Sequence, residues 1–91
     1  MKNCIQHQLP SFKFVKSYYD PHGYWGAFFS DNYKTIFIGS ERSFVDYSLE
    51  INGNKIALAE FDDRVMELKN TSTKNIIFLI DTIKKYLEKY I

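Results

Sequence analysis

The chain has a single cysteine, Cys4, so it forms no disulfide within itself and nothing in it points to an oxidising compartment. Two prolines and four glycines in 91 residues exclude a collagen-like or low-complexity chain. An excess of one charge is lacking too, since 12 Lys and Arg against 11 Asp and Glu leave a formal net charge of +1. A dedicated duplex-DNA binder draws its affinity from neutralised phosphates and carries a clear positive excess, so that class is disfavoured. The longest apolar run, Ile76 to Ile80, is far too short to span a bilayer, and the start of the chain, Met1 to Gln8, lacks the apolar core of a signal peptide. The cytoplasm is the expected location, and no membrane partner is expected.

Residues that carry chemistry are equally sparse. Two histidines, one cysteine and two arginines come without a G-x-S-x-G elbow, a Walker loop, an H-E-x-x-H pair or a paired-lysine phosphate cradle. Nothing nominates a general base with an orienting partner, so the chain reads as a non-enzyme with no catalytic residues and no cofactor. Cys4 and His7 have a spacing that occurs in metal sites, and His22 could join them. A zinc site needs four ligands, usually as two close pairs, and there is no second pair. Glu60, Asp62 and Asp63 could hold magnesium, but two of the three sit in a turn signal, where Asp is favoured for bonding its own backbone. No metal site is expected.

What is present is apolar and aromatic: 45% hydrophobic residues, with eight Phe, seven Tyr and one Trp. A chain this short buries only ~60–65% of the surface its unfolded form exposes, so one core over residues 1–91 takes most of these side chains and little remains for an enclosed site. Lys, Ile, Asn, Phe and Tyr make 41 of the 91 residues and Lys outnumbers Arg ten to two, which fits an A/T-rich coding sequence of the kind found in bacteria and their phages. Turn signals fall every 8–12 residues, at Asp20-Pro21-His22-Gly23, Ser30-Asp31-Asn32, Gly39-Ser40-Glu41-Arg42, Asn52-Gly53 and Asp62-Asp63, with β-branched and aromatic runs between them. This spacing predicts a β-meander.

Asn52-Gly53 supplies the two positive-φ residues of a type I′ turn, which sets Ile51 against Asn54, Glu50 against Lys55, Leu49 against Ile56 and Tyr47 against Leu58. Asp20-Pro21-His22-Gly23 reads as a type I turn followed by a left-handed glycine, pairing Asp20 with Tyr24. Counting outward from there, one face holds Val15, Tyr19, Trp25, Ala27 and Phe29. The other holds Phe14, Tyr18, Tyr24 and Phe28, interleaved with Lys16, Asp20 and Ser30. A three-residue loop at Asp62-Asp63 would set Leu58 against Leu68 as a last, bulged hairpin. The register after Ser30 stays open, because Ile36, Phe37 and Ile38 are apolar on both sides. From Ser72 the period changes from two to 3.6: Ser72 or Thr73 caps a helix whose stripe is Ile76, Leu79, Ile80, Ile83, Leu87 and Tyr90, widened by Ile77, Tyr86 and Ile91. Phe78 falls on the opposite, charged side. The expected fold is α+β: an N-terminal arm (1–11), a five- to six-stranded antiparallel β-meander (12–69), and one C-terminal amphipathic helix (73–90) packed on one sheet face.

One helix cannot cover two faces, so the Phe14, Tyr18, Tyr24 and Phe28 face needs another cover: the N-terminal arm, a symmetric partner subunit or a target. Charge is uneven along the chain, +2 over residues 1–40, −3 over 41–70 and +2 over 71–91. The acidic middle presents Asp46, Ser48, Glu50 and Glu67, with Phe44 and Phe61 near one end. Carboxylates around aromatic anchors suit a basic partner such as a nucleic-acid-handling enzyme. Phe14, Tyr18, Tyr24, Phe28, Phe44, Asp46, Glu50, Phe61 and Phe78 are therefore the candidate partner-binding residues. The expected role is a small binding protein of the inhibitor or immunity kind, of the toxin-immunity or phage anti-defence sort, that occludes a protein partner.

The alternative is a dimer that binds single-stranded nucleic acid. His22 to Phe29 mixes glycine and aromatics as the base-stacking strand of RNA-recognition motifs does, one residue out of that spacing. A meander followed by one helix is also the element order of PUR-type and Whirly-type single-strand binders, an analogy of order with no motif matched. Lys13, Lys16 and Lys34 beside exposed aromatics would supply the phosphate contacts.

Overall fold

The computed structural model describes residues 2–41 and 44–91. Its longest element is the helix α3, Thr73–Tyr90, which begins where the side chain of Ser72 accepts a hydrogen bond from the Asn75 backbone N–H at 3.3 Å. Ile76, Leu79, Ile80, Ile83 and Leu87 repeat at helical spacing and are buried, as is Thr82, whose hydroxyl is satisfied by donating to the Phe78 carbonyl at 2.9 Å. The stripe is narrower than its sequence suggests: Ile77, Tyr90 and Ile91 are exposed.

Against this stripe lies one antiparallel sheet in the order β1-β2-β3-β4-β5, with β1 Lys13–Asp20, β2 Tyr24–Asp31, β3 Lys34–Glu41, β4 Phe44–Ile51 and β5 Asn54–Lys55. The β1–β2 turn has the expected form, with Gly23 at φ +98°, its N–H donating to the Asp20 carbonyl, and Asp20 paired with Tyr24. The β4–β5 turn is the expected Asn52-Gly53, both at positive φ (55° and 80°), and pairs Glu50 with Lys55 and Ile51 with Asn54. Asn32, also at positive φ, makes the β2–β3 turn two residues long. That settles the register left open after Ser30: Ile36 and Ile38 point to the core and Phe37 to the other face. Gly39, Ser40 and Glu41 belong to β3, whereas Arg42 of that expected turn lies outside the described residues.

Two segments depart from expectation. The expected strand after residue 56 is absent: Ile56 still donates to the Leu49 carbonyl at 2.8 Å, but the chain then enters a one-turn helix α2, Leu58–Phe61, and a 3-10 helix, Asp63–Glu67. Tyr47 therefore does not pair with Leu58, and the sheet ends at Lys55 instead of 69. Leu58, Phe61 and Val65 recur at helical rather than strand spacing, and burial of Leu58 and Val65 against the core favours the helical path. The N-terminal arm is likewise a helix, α1 Lys2–Gln8, ended by Pro10; Ile5, Leu9 and Phe12 are buried in the same core as α3. Lys84 of α3 donates to the Gln8 side chain at 3.2 Å, and Asp31 sits 3.2 Å from Lys34. A hydrogen bond from Ser11, and then Lys34, hold the Asp31 carboxyl below its ordinary range.

The core thus lies between α1, α3 and the α2 segment on one side and the inner faces of β2, β3 and β4 on the other: Ala27, Phe29, Ile36, Ile38 and Leu49 are buried there, with Trp25, Val45 and Tyr47 half-buried. Leu58, 1% exposed, joins α2 to this core. Leu58→Ala is expected to cost ~2–5 kcal/mol in urea unfolding, as a buried truncation does; a loss under about half a kilocalorie would place α2 outside the core.

Candidate functional site

The helices α1, α2 and α3 lie on one side of the sheet, so the other side is built by strands alone among the described residues. Alternation and register put four cross-strand rows on this outer face: Asp20, Tyr24, Glu41 and Phe44; Tyr18, Gly26, Gly39 and Asp46; Lys16, Phe28, Phe37 and Ser48; Lys13, Ser30, Thr35 and Glu50. The second row holds two paired glycines, whose missing side chains leave bare backbone at the centre. A Cβ on Gly26 would lie 2.4 Å from the Phe37 ring and 2.7 Å from the Tyr18 ring, so these rings occupy the space the glycine vacates. Tyr18 and Phe37 lie nearly parallel with centroids 6.4 Å apart, Phe28 packs on Phe37 at 4.8 Å, and the Lys16 ammonium stands 5.0 Å from the Phe28 centroid. The result is an aromatic platform with a lysine on the β1 side and the carboxylates of Glu41, Asp46 and Glu50 on the β3–β4 side.

Six of the nine expected partner residues share this face: Tyr18, Tyr24, Phe28, Phe44, Asp46 and Glu50. Phe14 does not. A bulge between Phe14 and Lys16 shifts the register by one residue, pairs Phe14 with Phe29 and turns its ring to the inner side, where the two rings meet edge to face at 5.8 Å. Phe61 is also elsewhere, packed on Tyr86 and Tyr90 at 5.5 and 6.2 Å beside an open cleft of about 480 Å³. Phe78 is half-buried under the guanidinium of Arg64, 5.1 Å from its ring, because the 3-10 helix folds over that side of α3. Glu67 lies in the 3-10 helix and not in a strand. Phe37 is the residue sequence reasoning left unplaced; the two glycines that fall opposite one another once β2 and β3 are aligned were the available signal.

Electrostatics at the rim follow from local geometry. The His22 backbone N–H donates to the Asp20 carboxylate at 2.8 Å and the His22 ring nitrogen lies equally close, which holds the Asp20 carboxyl below its ordinary range. Asp62, expected in a turn, accepts from the Arg64 backbone and side chain, at 2.6 Å in the shortest contact, and caps the 3-10 helix. Among the described residues no three His, Cys, Asp or Glu side chains form a group that could hold a metal ion, and no helix is long and apolar enough to cross a membrane. No protein-family model matches the chain, and neither does a curated protein or a solved structure.

Two expectations test this geometry. Gly26→Ala forces the Tyr18 and Phe37 rings off the backbone, so it should cost ~1–3 kcal/mol as an overpacking change and alter the near-ultraviolet circular dichroism; a silent substitution would mean the rings do not rest there. The hydrogen bonds from Arg64 depress the Asp62 pKa. A depressed carboxyl adds stability that is fully present above its unfolded value, ~3.9, and is lost as pH falls through the folded value. Asp62→Asn should therefore be less stable than wild type at neutral pH, and the gap should close in acid below about pH 4. A gap independent of pH in urea titrations would contradict the Asp62–Arg64 account.

Proposed function

We propose that this chain is a small cytoplasmic binding protein that acts by occlusion and not by catalysis, in the manner of inhibitor and immunity proteins, and that its contact surface is the outer sheet face. The observation that carries the reading is the platform of Tyr18, Phe28 and Phe37, which stands on a face that no helix of the described residues covers. Aromatic side chains anchor protein interfaces because they bury large areas at low entropic cost, and the carboxylates of Glu41, Asp46 and Glu50 along the β3–β4 side suit a basic partner surface. Four carboxylates, counting Asp20, against Lys13, Lys16 and Lys55 leave the face a slight acidic excess, which favours a protein over a nucleic-acid strand.

A second reading, single-strand binding, is favoured by one detail: the Lys16 ammonium over Phe28 beside the Tyr18–Phe37 stack resembles a base-stacking platform with its phosphate contact. Nuclease-treated co-purification from the host separates the two, comparing wild type, the outer-face variant Tyr18→Ala/Phe28→Ala and the helix-surface variant Lys85→Ala. A discrete protein held by wild type and Lys85→Ala but lost from the outer-face variant is the expected result. Micromolar or tighter anisotropy binding to labelled single strands, weakening steeply with salt, would instead establish the second reading. Equal retention by all three variants would remove the outer face from the account.

A further inference from the structure

A sheet has two edges, and this one treats them differently. At the β4 side the chain covers its own edge: β5 pairs with Glu50 and Ile51, the Ile56 N–H donates to the Leu49 carbonyl at 2.8 Å, and the Val45 N–H points to the Leu68 carbonyl at 3.4 Å. At the β1 side, among the described residues, β2 is the only strand paired with β1, and all eight β1 residues are exposed, with Tyr18 at 48% and Tyr19 at 78%. An open edge is a template for another strand, and proteins blunt such edges with bulges, proline or an overlying segment. Here the bulge is confined to Phe14–Lys16, and Lys16–Asp20 runs in unbroken register against Tyr24–Phe28.

We propose that Lys16–Asp20 is a dimerisation strand: two copies of this chain pair antiparallel along it, with the two-fold axis passing through Tyr18. The strand is complementary to itself in that register. Lys16 stands opposite Asp20 at both ends, Ser17 opposite Tyr19, and Tyr18 opposite its symmetry mate. Antiparallel partners point to the same face, and Lys16, Tyr18 and Asp20 share the outer face while Ser17 and Tyr19 share the inner one. A slip of one residue would set outer against inner residues, and a slip of two would break both charge pairs. The charge pattern thus selects a second copy as the occupant. Asp20 meets His22 through Oδ1, so a contact to the partner's Lys16 would fall to Oδ2. Because Tyr18 lies on Phe37, the pairing also joins the two aromatic platforms into one across the axis. The proposal does not rest on the occlusion reading, since the outer face stays open in such a dimer.

Sedimentation or light scattering on the full chain tests this by charge reversal. Wild type should run at twice the 10.8 kDa chain mass. Lys16→Glu and Asp20→Lys each set like charges together and should shift dissociation to at least tenfold higher concentration, about 1.4 kcal/mol. An equimolar mixture of the two single variants restores opposite charges at both ends and should recover the dimer, as should the double variant Lys16→Glu/Asp20→Lys. Lys16→Glu does not disturb the Asp20–His22 turn, so it reads the interface even where Asp20→Lys folds poorly by circular dichroism. A monomeric wild type, a Lys16→Glu chain as dimeric as wild type, or a mixture of folded single variants that stays monomeric would each overturn the proposal. Occlusion is scored separately with Phe28→Ala, which lies on β2 away from the pairing strand: partner retention should be lost while the dimer persists.

Discussion

The packing of the α3 stripe on the inner faces of β2, β3 and β4 is the constraint on which the rest depends. Ile76, Leu79, Ile80, Ile83 and Leu87 meet Phe29, Ile36, Ile38 and Leu49 in one layer, and hydrophobic burial at this scale is the main term that offsets chain entropy in so short a protein. A single long helix has one apolar stripe, so it covers one sheet face. α1 and α2 add Ile5, Leu9, Phe12 and Leu58 to the same layer, on the same side. The three α-helices therefore collect on one face, and the second face is left to its own strands.

That division explains where the sequence could be read and where it could not. The turns at Asp20–Gly23 and Asn52-Gly53 and the Ser72 cap were legible because local chemistry decides them: positive φ at Gly23, Asn52 and Gly53, and a side-chain oxygen for the orphaned helix N–H groups. The alternation of β2 was legible for the same reason. The bulge at Phe14 was not, since an inserted residue leaves no compositional mark, and it moved Phe14 to the inner side while Tyr18 stayed outside. Residues 58–67 were open to two periods: Leu58 and Leu68 suit a hairpin, but Leu58, Phe61 and Val65 suit a helix, and tertiary burial chose the helix. α1 is only seven residues long, too short for its period to stand out. Phe78, expected on the charged side of the helix, is half-buried against the core and under Arg64, which lies in the 3-10 helix that replaces the expected strand.

The outer face and the open edge belong together physically. Gly26 and Gly39 lower the centre of the face, the rings of Tyr18 and Phe37 fill it, and Tyr18 sits on the strand that ends the sheet. Aromatic area on that face is held by stacking on neighbouring rings and backbone, so it is ordered before any partner arrives, and ordering in advance reduces the entropic cost of binding. The acidic rim at Glu41, Asp46 and Glu50 then adds orientation and charge preference more than affinity.

The central claim is that one face of this sheet is the core and the other is presented to solvent. Paramagnetic relaxation of side-chain NMR signals by a soluble, uncharged agent tests it most directly. The account predicts strong broadening of the Tyr18 and Phe28 ring signals and little at Phe29, Ile36 and Ile38. Outer-face rings as protected as Phe29 would contradict it.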